Sequence, residues 1–252
     1  MRRVIVIANQ KGGVGKTTSV INLGAALALA EKRVLVIDMD PQQNATSGIG
    51  IENINGASVY NVLIGESPIE DNVLKTEIPF LSIVPSTEEM QGFEVEVYEE
   101  RERVFLLKKA IEKMKEEYDF VLIDTPPSLS FITVNSLVAA KEVLIPLQSE
   151  YYALEGLTQL LKTIKEIQKV YNPELEFSGI FLTMFDERTN LSKQVEEEVR
   201  SYFGEKVFQT KVPRNVKLSE APSFGKPILL YDIKSKGALS YLNLAKEILK
   251  SE

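Results

Sequence analysis

Short runs of consecutive apolar residues recur along the chain, at 4–8, 34–37, 81–84, 120–123, 143–147 and 179–184. Side chains alternate between the two faces of a strand, so a strand that is apolar at every position needs cover on both sides. Between these runs apolar residues fall at three- and four-residue spacing, which predicts helices over 16–31, 104–117, 154–170, 192–203 and 238–249. The alternation of strand and helix predicts an α/β fold: a single doubly wound, mostly parallel sheet with helices on both faces. No internal repeat, low-complexity tract or Gly/Ser-rich linker divides the chain, so residues 1–252 are expected to form one domain. The acidic stretch 94–102 reads as a solvated helix end or loop.

Composition narrows the chemistry. The chain contains 0 Cys and 0 His, which excludes disulfides, iron–sulfur clusters, thiol nucleophiles, His general bases and the common zinc sites. Carboxylates, Lys, hydroxyls, backbone amides and a hard cation such as Mg²⁺ remain. The first residues pass from Arg2 and Arg3 directly into an apolar run, without the longer apolar segment of a secretory leader. No run approaches the roughly 20 residues of a membrane-spanning helix, so the chain reads as cytoplasmic.

The strongest chemical signal is Gln10-Lys11-Gly12-Gly13-Val14-Gly15-Lys16-Thr17-Thr18, between the first predicted strand and the first helix. At such a junction glycines let backbone amides turn onto phosphate oxygens, and the helix N-terminus adds partial positive charge. Lys16 is placed to reach the β- and γ-phosphates, and the Thr17 hydroxyl to ligate Mg²⁺. The usual G-x-x-x-x-G-K-[ST] spacing fails at its first glycine, where Gln10 stands, and a second lysine, Lys11, lies inside the loop. Two further apolar runs end in carboxylates, Asp38-Met39-Asp40-Pro41 and Asp124-Thr125-Pro126-Pro127. In an open parallel sheet these ends line the same crevice as the loop, where one carboxylate can hold a metal directly or through water and another can orient the attacking water.

These motifs, together with Glu150-Tyr151-Tyr152-Ala153-Leu154-Glu155-Gly156 and Val212-Pro213-Arg214-Asn215-Val216-Lys217-Leu218-Ser219-Glu220-Ala221-Pro222-Ser223, resemble the ParA/Soj group of deviant-Walker ATPases that segregate chromosomes and plasmids. The phosphate loop and the two carboxylate strands are shared with a wider superfamily that includes MinD, and the last two motifs narrow the resemblance. It implies an ATP-sandwich homodimer in which Lys11 crosses to the partner's nucleotide, with Gly12, Gly13, Val14, Gly15, Lys16, Thr17 and Thr18 around the phosphates. It further implies Thr17 on Mg²⁺, Asp124 as the Walker B acid, Asp40 positioning the hydrolytic water, and adenine near Pro213 and Asn215; from the strand-end reading, Asp38 joins Asp124 in serving the metal through water. The implied partners are non-specific double-stranded DNA and a ParB-like centromere-binding protein that stimulates slow hydrolysis, which makes the protein nucleoid-associated. The short chromosomal form of the family, which this sequence matches, lacks an N-terminal helix-turn-helix, so operator-specific autorepression is not expected.

A formal net charge of −7 requires a local basic face if DNA is to be held. Between 206 and 236, Lys206, Lys211, Arg214, Lys217, Lys226, Lys234 and Lys236 stand against Glu220 and Asp232. Arg188, Lys217, Lys234 and Lys236 are the expected DNA contacts, to phosphates and so independent of sequence. A MinD-like membrane-recruited ATPase is the competing reading and would need a basic amphipathic C-terminal helix. Here Lys246 and Lys250 are offset by Glu247 and Glu252, and Leu239, Leu242, Ala245 and Leu249 predict a helix docked on the core, with no membrane contact. A small-molecule kinase or ligase is a third reading, weakened by the lack of an unassigned polar cluster for an acceptor.

Overall fold

The computed structural model describes residues 2–150 and 153–250. Eight strands form one sheet: β1 (Arg3–Ile7), β2 (Val34–Asp38), β3 (Leu74–Lys75), β4 (Leu81–Val84), β5 (Phe120–Asp124), β6 (Glu142–Gln148), β7 (Glu176–Phe185) and β8 (Val207–Pro213). Their order is β3-β4-β2-β5-β1-β6-β7-β8. Every neighbouring pair is parallel except β3 with β4, so the doubly wound, mostly parallel sheet expected from the apolar runs is present.

The longer helices are α1 (Lys16–Leu29), α2 (Leu106–Lys113), α3 (Phe131–Ala139), α4 (Ala153–Val170), α5 (Asn190–Phe203) and α6 (Lys236–Lys250). The unbroken apolar strands follow from two cores, one on each face. Val4, Val6, Leu35, Ile37, Val121 and Ile123 join the core under α2, α3, α4 and α5. Ile5, Ile7, Val34, Val36, Phe120 and Leu122 join the one under α1 and α6.

Four elements depart from expectation. The predicted helix over 104–117 shortens to Leu106–Lys113, because Met114 is already extended at ψ 120°. The C-terminal helix does dock on the core, but its buried stripe is Ala238, Tyr241, Leu244, Ala245 and Ile248, while Leu239 is 52% exposed. The expected Leu239-centred face is therefore out of phase, since Tyr241 and Ile248 carry the packing. Helix α3 and strand β8 answer to no prediction: nearly all of α3 is buried, which erases its polar face, and β8 is an edge strand whose apolar run is broken by Gln209, Thr210 and Lys211. The acidic stretch 94–102 comprises the end of a short helix, Phe93–Glu96, followed by a solvated turn, as its charge suggested.

Candidate functional site

Strands β2, β5 and β1 are neighbours at the centre of the sheet, and all three of their C-terminal ends carry chemistry. Ile7 pairs with Asp124, and Asp38 pairs with Asp124, so the Asp124 strand end lies between the start of the phosphate loop and the Asp38 strand. The loop is held from below. Asn9 Nδ2 donates to Pro146 O at 2.8 Å while Asn9 Oδ1 accepts from Lys11 N at 3.0 Å, and Thr183 Oγ1 donates to Val14 O at 2.8 Å. Gly13 and Gly15 take φ of 74° and 88°, the left-handed region where a side chain would be strained, and Gly15 leads directly into α1.

The two loop lysines differ in environment. Lys16 is buried, and desolvation holds its pKa below the usual lysine value against the attraction of Asp124 and Asp40; its Nζ donates to Lys11 O at 3.2 Å. Lys11 is half-exposed at the rim and pairs with Glu150. The Glu150 motif continues through Tyr151 and Tyr152, which lie outside the described residues.

The carboxylates are equally distinct. Asp38 is fully buried, and burial pushes its pKa up to about 6 even though Thr46 N and Thr46 Oγ1 both donate to its Oδ2, at 2.9 and 2.7 Å. Asp124 is fully buried, and neither of its oxygens makes a hydrogen bond of normal geometry. Desolvation first, then the charge of Asp38, pushes its pKa well above the usual carboxylate range, and the nearby Thr17 hydroxyl opposes this only in part. A buried carboxylate with two unpartnered oxygens is a group that a cation would satisfy. Among the described residues no three acidic, His or Cys side chains cluster as a cation cage. Asp40 Oδ1 accepts from Gln42 N at 3.0 Å, which fixes the carboxylate's direction.

A cleft of about 380 Å³ is lined by Gly13, Gly15, Lys16, Thr17, Thr18 and Asp40 together with Asn44, Ser47, Thr125, Met184 and Pro222. Asn44 and Ser47 escaped the sequence reading because they sit on the five-residue helix Asn44–Gly48, too short to show periodicity, while Thr125, Met184 and Pro222 lie within runs singled out there without a role of their own. Thr46, which holds Asp38, escaped it too. Behind Ser47 and Pro222, the segments that carry them meet at Gly50 and Gly225, with φ of 93° and 59°, so closely that a Cβ on Gly50 would lie 2.6 Å from Gly225 O. Pro213 and Asn215 do not line this cleft. Pro213 ends β8, and Asn215 caps the short helix Val216–Glu220 by accepting from Leu218 N at 3.3 Å.

The basic stretch is not one face. Strand β8 separates Lys206 from Arg214 by its own length, roughly 20 Å. Lys211 pairs with Glu196 at 2.9 Å and Lys217 with Glu220 at 2.9 Å. Arg188 is 88% exposed and pairs with Asp186 at 2.7 Å. Lys226, Lys234 and Lys236 are exposed. The stretch therefore divides, and its cationic surface is concentrated beyond Pro213.

A family model described as an AAA domain matches residues 2–177. The chromosome partitioning protein ParA of Myxococcus xanthus is 55% identical over 252 residues, 99% of this chain and 89% of that protein. The sporulation initiation inhibitor protein Soj of Bacillus subtilis is 52% identical over 249 residues, 98% of each. Among solved structures, cobyrinic acid a,c-diamide synthase from Mycobacterium smegmatis with bound ADP and magnesium superimposes with a TM-score of 0.86 at 35% identity, covering 99% of this chain and 95% of that one. A putative plasmid partition protein from Borrelia burgdorferi bound to AMPPNP gives 0.84 at 26% identity, with all of both chains covered.

Proposed function

The chain belongs to the ParA/Soj family of chromosome-partitioning ATPases, and on that premise we propose that residues 1–252 act as one ATP-driven switch domain. ATP and Mg²⁺ join two copies into a dimer, the dimer holds double-stranded DNA without regard to sequence, and hydrolysis stimulated by a ParB-like partner releases it. The protein is then cytoplasmic and resides on the nucleoid. The observation that carries this reading is a cleft lined by a phosphate loop, Lys16 and Thr17, with the buried Asp124 directly behind them, near enough to feel both side chains.

Each residue has a task in phosphoryl transfer, which asks chiefly for positioning and charge. The amides of Gly12, Gly13, Val14 and Gly15 with the N-terminus of α1 receive phosphate oxygens, and Thr18 supports them. The Lys16 ammonium, poorly solvated where it stands, exchanges its bond to Lys11 O for the phosphates. When bound, Mg²⁺ supplies positive charge beside the β- and γ-phosphates, held by the Thr17 hydroxyl and, through water, by Asp38 and Asp124. Asp40 orients the attacking water from the cleft wall. Lys11 leaves Glu150 to reach the partner copy's nucleotide, which makes hydrolysis depend on dimerisation. Pro213 and Asn215 contact the adenine.

Arg188, Lys217, Lys234 and Lys236 contact DNA phosphates. Relatives named for chromosome partitioning are 55% and 51% identical, against 35% for the amide synthase, which favours the switch over small-molecule synthesis. Against a membrane-recruited switch, α6 turns its apolar stripe into the core. The deciding experiment is DNA retention with ATP, ADP and no nucleotide across a salt series. Retention confined to ATP and weakening steeply with salt is expected; equal retention in all three states overturns the reading.

A further inference from the structure

Two groups from distant parts of the fold, the Tyr241 hydroxyl and the Ile228 amide, are tied to the start of α1, where Lys16, Thr17 and Thr18 stand. Ser19 Oγ donates to Gly15 O at 2.6 Å, which uses its one hydroxyl hydrogen. The Tyr241 hydroxyl, 2.9 Å from Ser19 Oγ, is therefore the donor of that bond. Tyr241 is 1% exposed and burial pushes its pKa upward, so the phenol keeps its proton. One turn further along α1, Asn22 Nδ2 donates to Thr18 O at 2.7 Å, and Asn22 Oδ1 accepts from Ile228 N at 2.7 Å. Ile228 opens a short helix directly after Pro227, where the first N–H has no partner within the helix. Asn22 satisfies it from another element.

Both connections end next to exposed lysines. Lys226 lies two residues before Ile228; Lys236 opens α6, the helix that carries Tyr241, and Lys234 precedes it by two residues. Neither Asn22 nor Tyr241 lines the cleft, so both act on the phosphate site through Thr18 and Ser19. We propose that Asn22 and Tyr241 are positioning residues that bind the phosphate-loop helix and segment 226–241 into one unit, so that nucleotide at Gly15 and Thr18 sets the placement of Lys226, Lys234 and Lys236. This rests on the DNA-holding role given to that surface above.

The test uses the full chain with Tyr241→Phe, which removes one oxygen and keeps the ring, and with Asn22→Ser, singly and together. Three quantities are read: affinity for a fluorescent ATP analogue, the ATP-induced change in amide hydrogen exchange over 226–241, and the ratio of DNA retention with ATP to that with ADP. Nucleotide affinity is expected to stay within about threefold of wild type, the exchange response to fall below half, and the retention ratio to drop about tenfold in the double variant. If that variant folds poorly, Tyr241→Phe alone is read. The proposal is overturned if the variants keep the wild-type response, if affinity falls in step with it, or if wild type shows no exchange response over 226–241. A wild-type exchange response without preference for ATP in DNA retention overturns the DNA role and supports the linkage.

Discussion

Asp38 and Asp124 face each other in register at the ends of adjacent parallel strands, both fully buried. Thr46 and the Asp40 amide donate to Asp38, whereas Asp124 has no hydrogen bond of normal geometry at either oxygen. The pair is electrostatically unfavourable in a chain without nucleotide. An acid whose folded-state pKa is raised binds protons more tightly when folded, so its penalty grows as pH climbs from the unfolded value through the folded one. Asp38 spans the window from the usual carboxylate range to about 6, and Asp124 is raised in the same direction.

Asp124→Asn is therefore expected to raise the melting temperature of the nucleotide-free protein at neutral pH, at roughly 2–4 °C per kcal/mol relieved, and to abolish ATP hydrolysis. The gain should fade as pH is lowered toward 4. Melting curves at pH 4.5 and 7.5 check this; an equal shift at both would show that the charge is not the cause.

Lys11 and Lys16 should separate on substitution. The Lys11–Glu150 pair is half-exposed, and such pairs contribute about 0–1 kcal/mol. Lys11→Ala is expected to leave stability and ATP binding nearly intact while abolishing ATP-dependent dimerisation and turnover, whereas Lys16→Ala loses ATP binding. Sizing chromatography with ATP, beside a nucleotide titration, reads both. A dimeric, active Lys11→Ala protein would remove the cross-subunit role.

Asp40→Ala removes one turn-forming bond, to Gln42 N, at a cost of about 1 kcal/mol. Nucleotide affinity is expected to persist and turnover to collapse, leaving an ATP-bound dimer on DNA. A variant that stays monomeric with ATP would assign Asp40 to support of the Asp38 turn instead.

On the basic surface, removing one side chain that touches a DNA phosphate should reduce the slope of log K against log[salt] by about 0.9. Charge reversal at Arg188, Lys217 or Lys236 should do so without affecting ATP binding. Lys206→Glu, at the other end of β8, should not. Unchanged slopes at the first three positions, together with ATP-dependent sedimentation on anionic vesicles, would favour the membrane-recruited reading.

How far the chain can be read in advance depends on how local each feature is. Val34–Asp38 and Phe120–Asp124 announce both core strand and carboxylate, because burial on two faces and a functional strand end are written in consecutive residues. The same rule fails for β8, an edge strand in which Gln209, Thr210 and Lys211 interrupt the apolar run. Helix α6 is placed but rotated, since Leu residues occur on more than one of its faces and the deciding bond joins Tyr241 to Ser19, 222 residues away. Thr46 and Asn22 show the same limit: their importance lies in partners that proximity in sequence does not announce. The basic stretch looks continuous only while β8, which carries its two ends apart, goes unrecognised.

The contact between Gly50 and Gly225 bears on the pace at which the cleft can change. The segments that carry Ser47 and Pro222 touch there through backbone, with Gly225 Cα about 4.0 Å from a Cβ built on Gly50 and no rotamer available to yield. Side-chain flips of picoseconds to nanoseconds therefore do not widen that junction; a whole segment must shift, and motions of that kind belong to microseconds or longer. Nucleotide exchange that depends on parting these segments would then follow a clock set by main-chain rearrangement, largely indifferent to which side chains surround it.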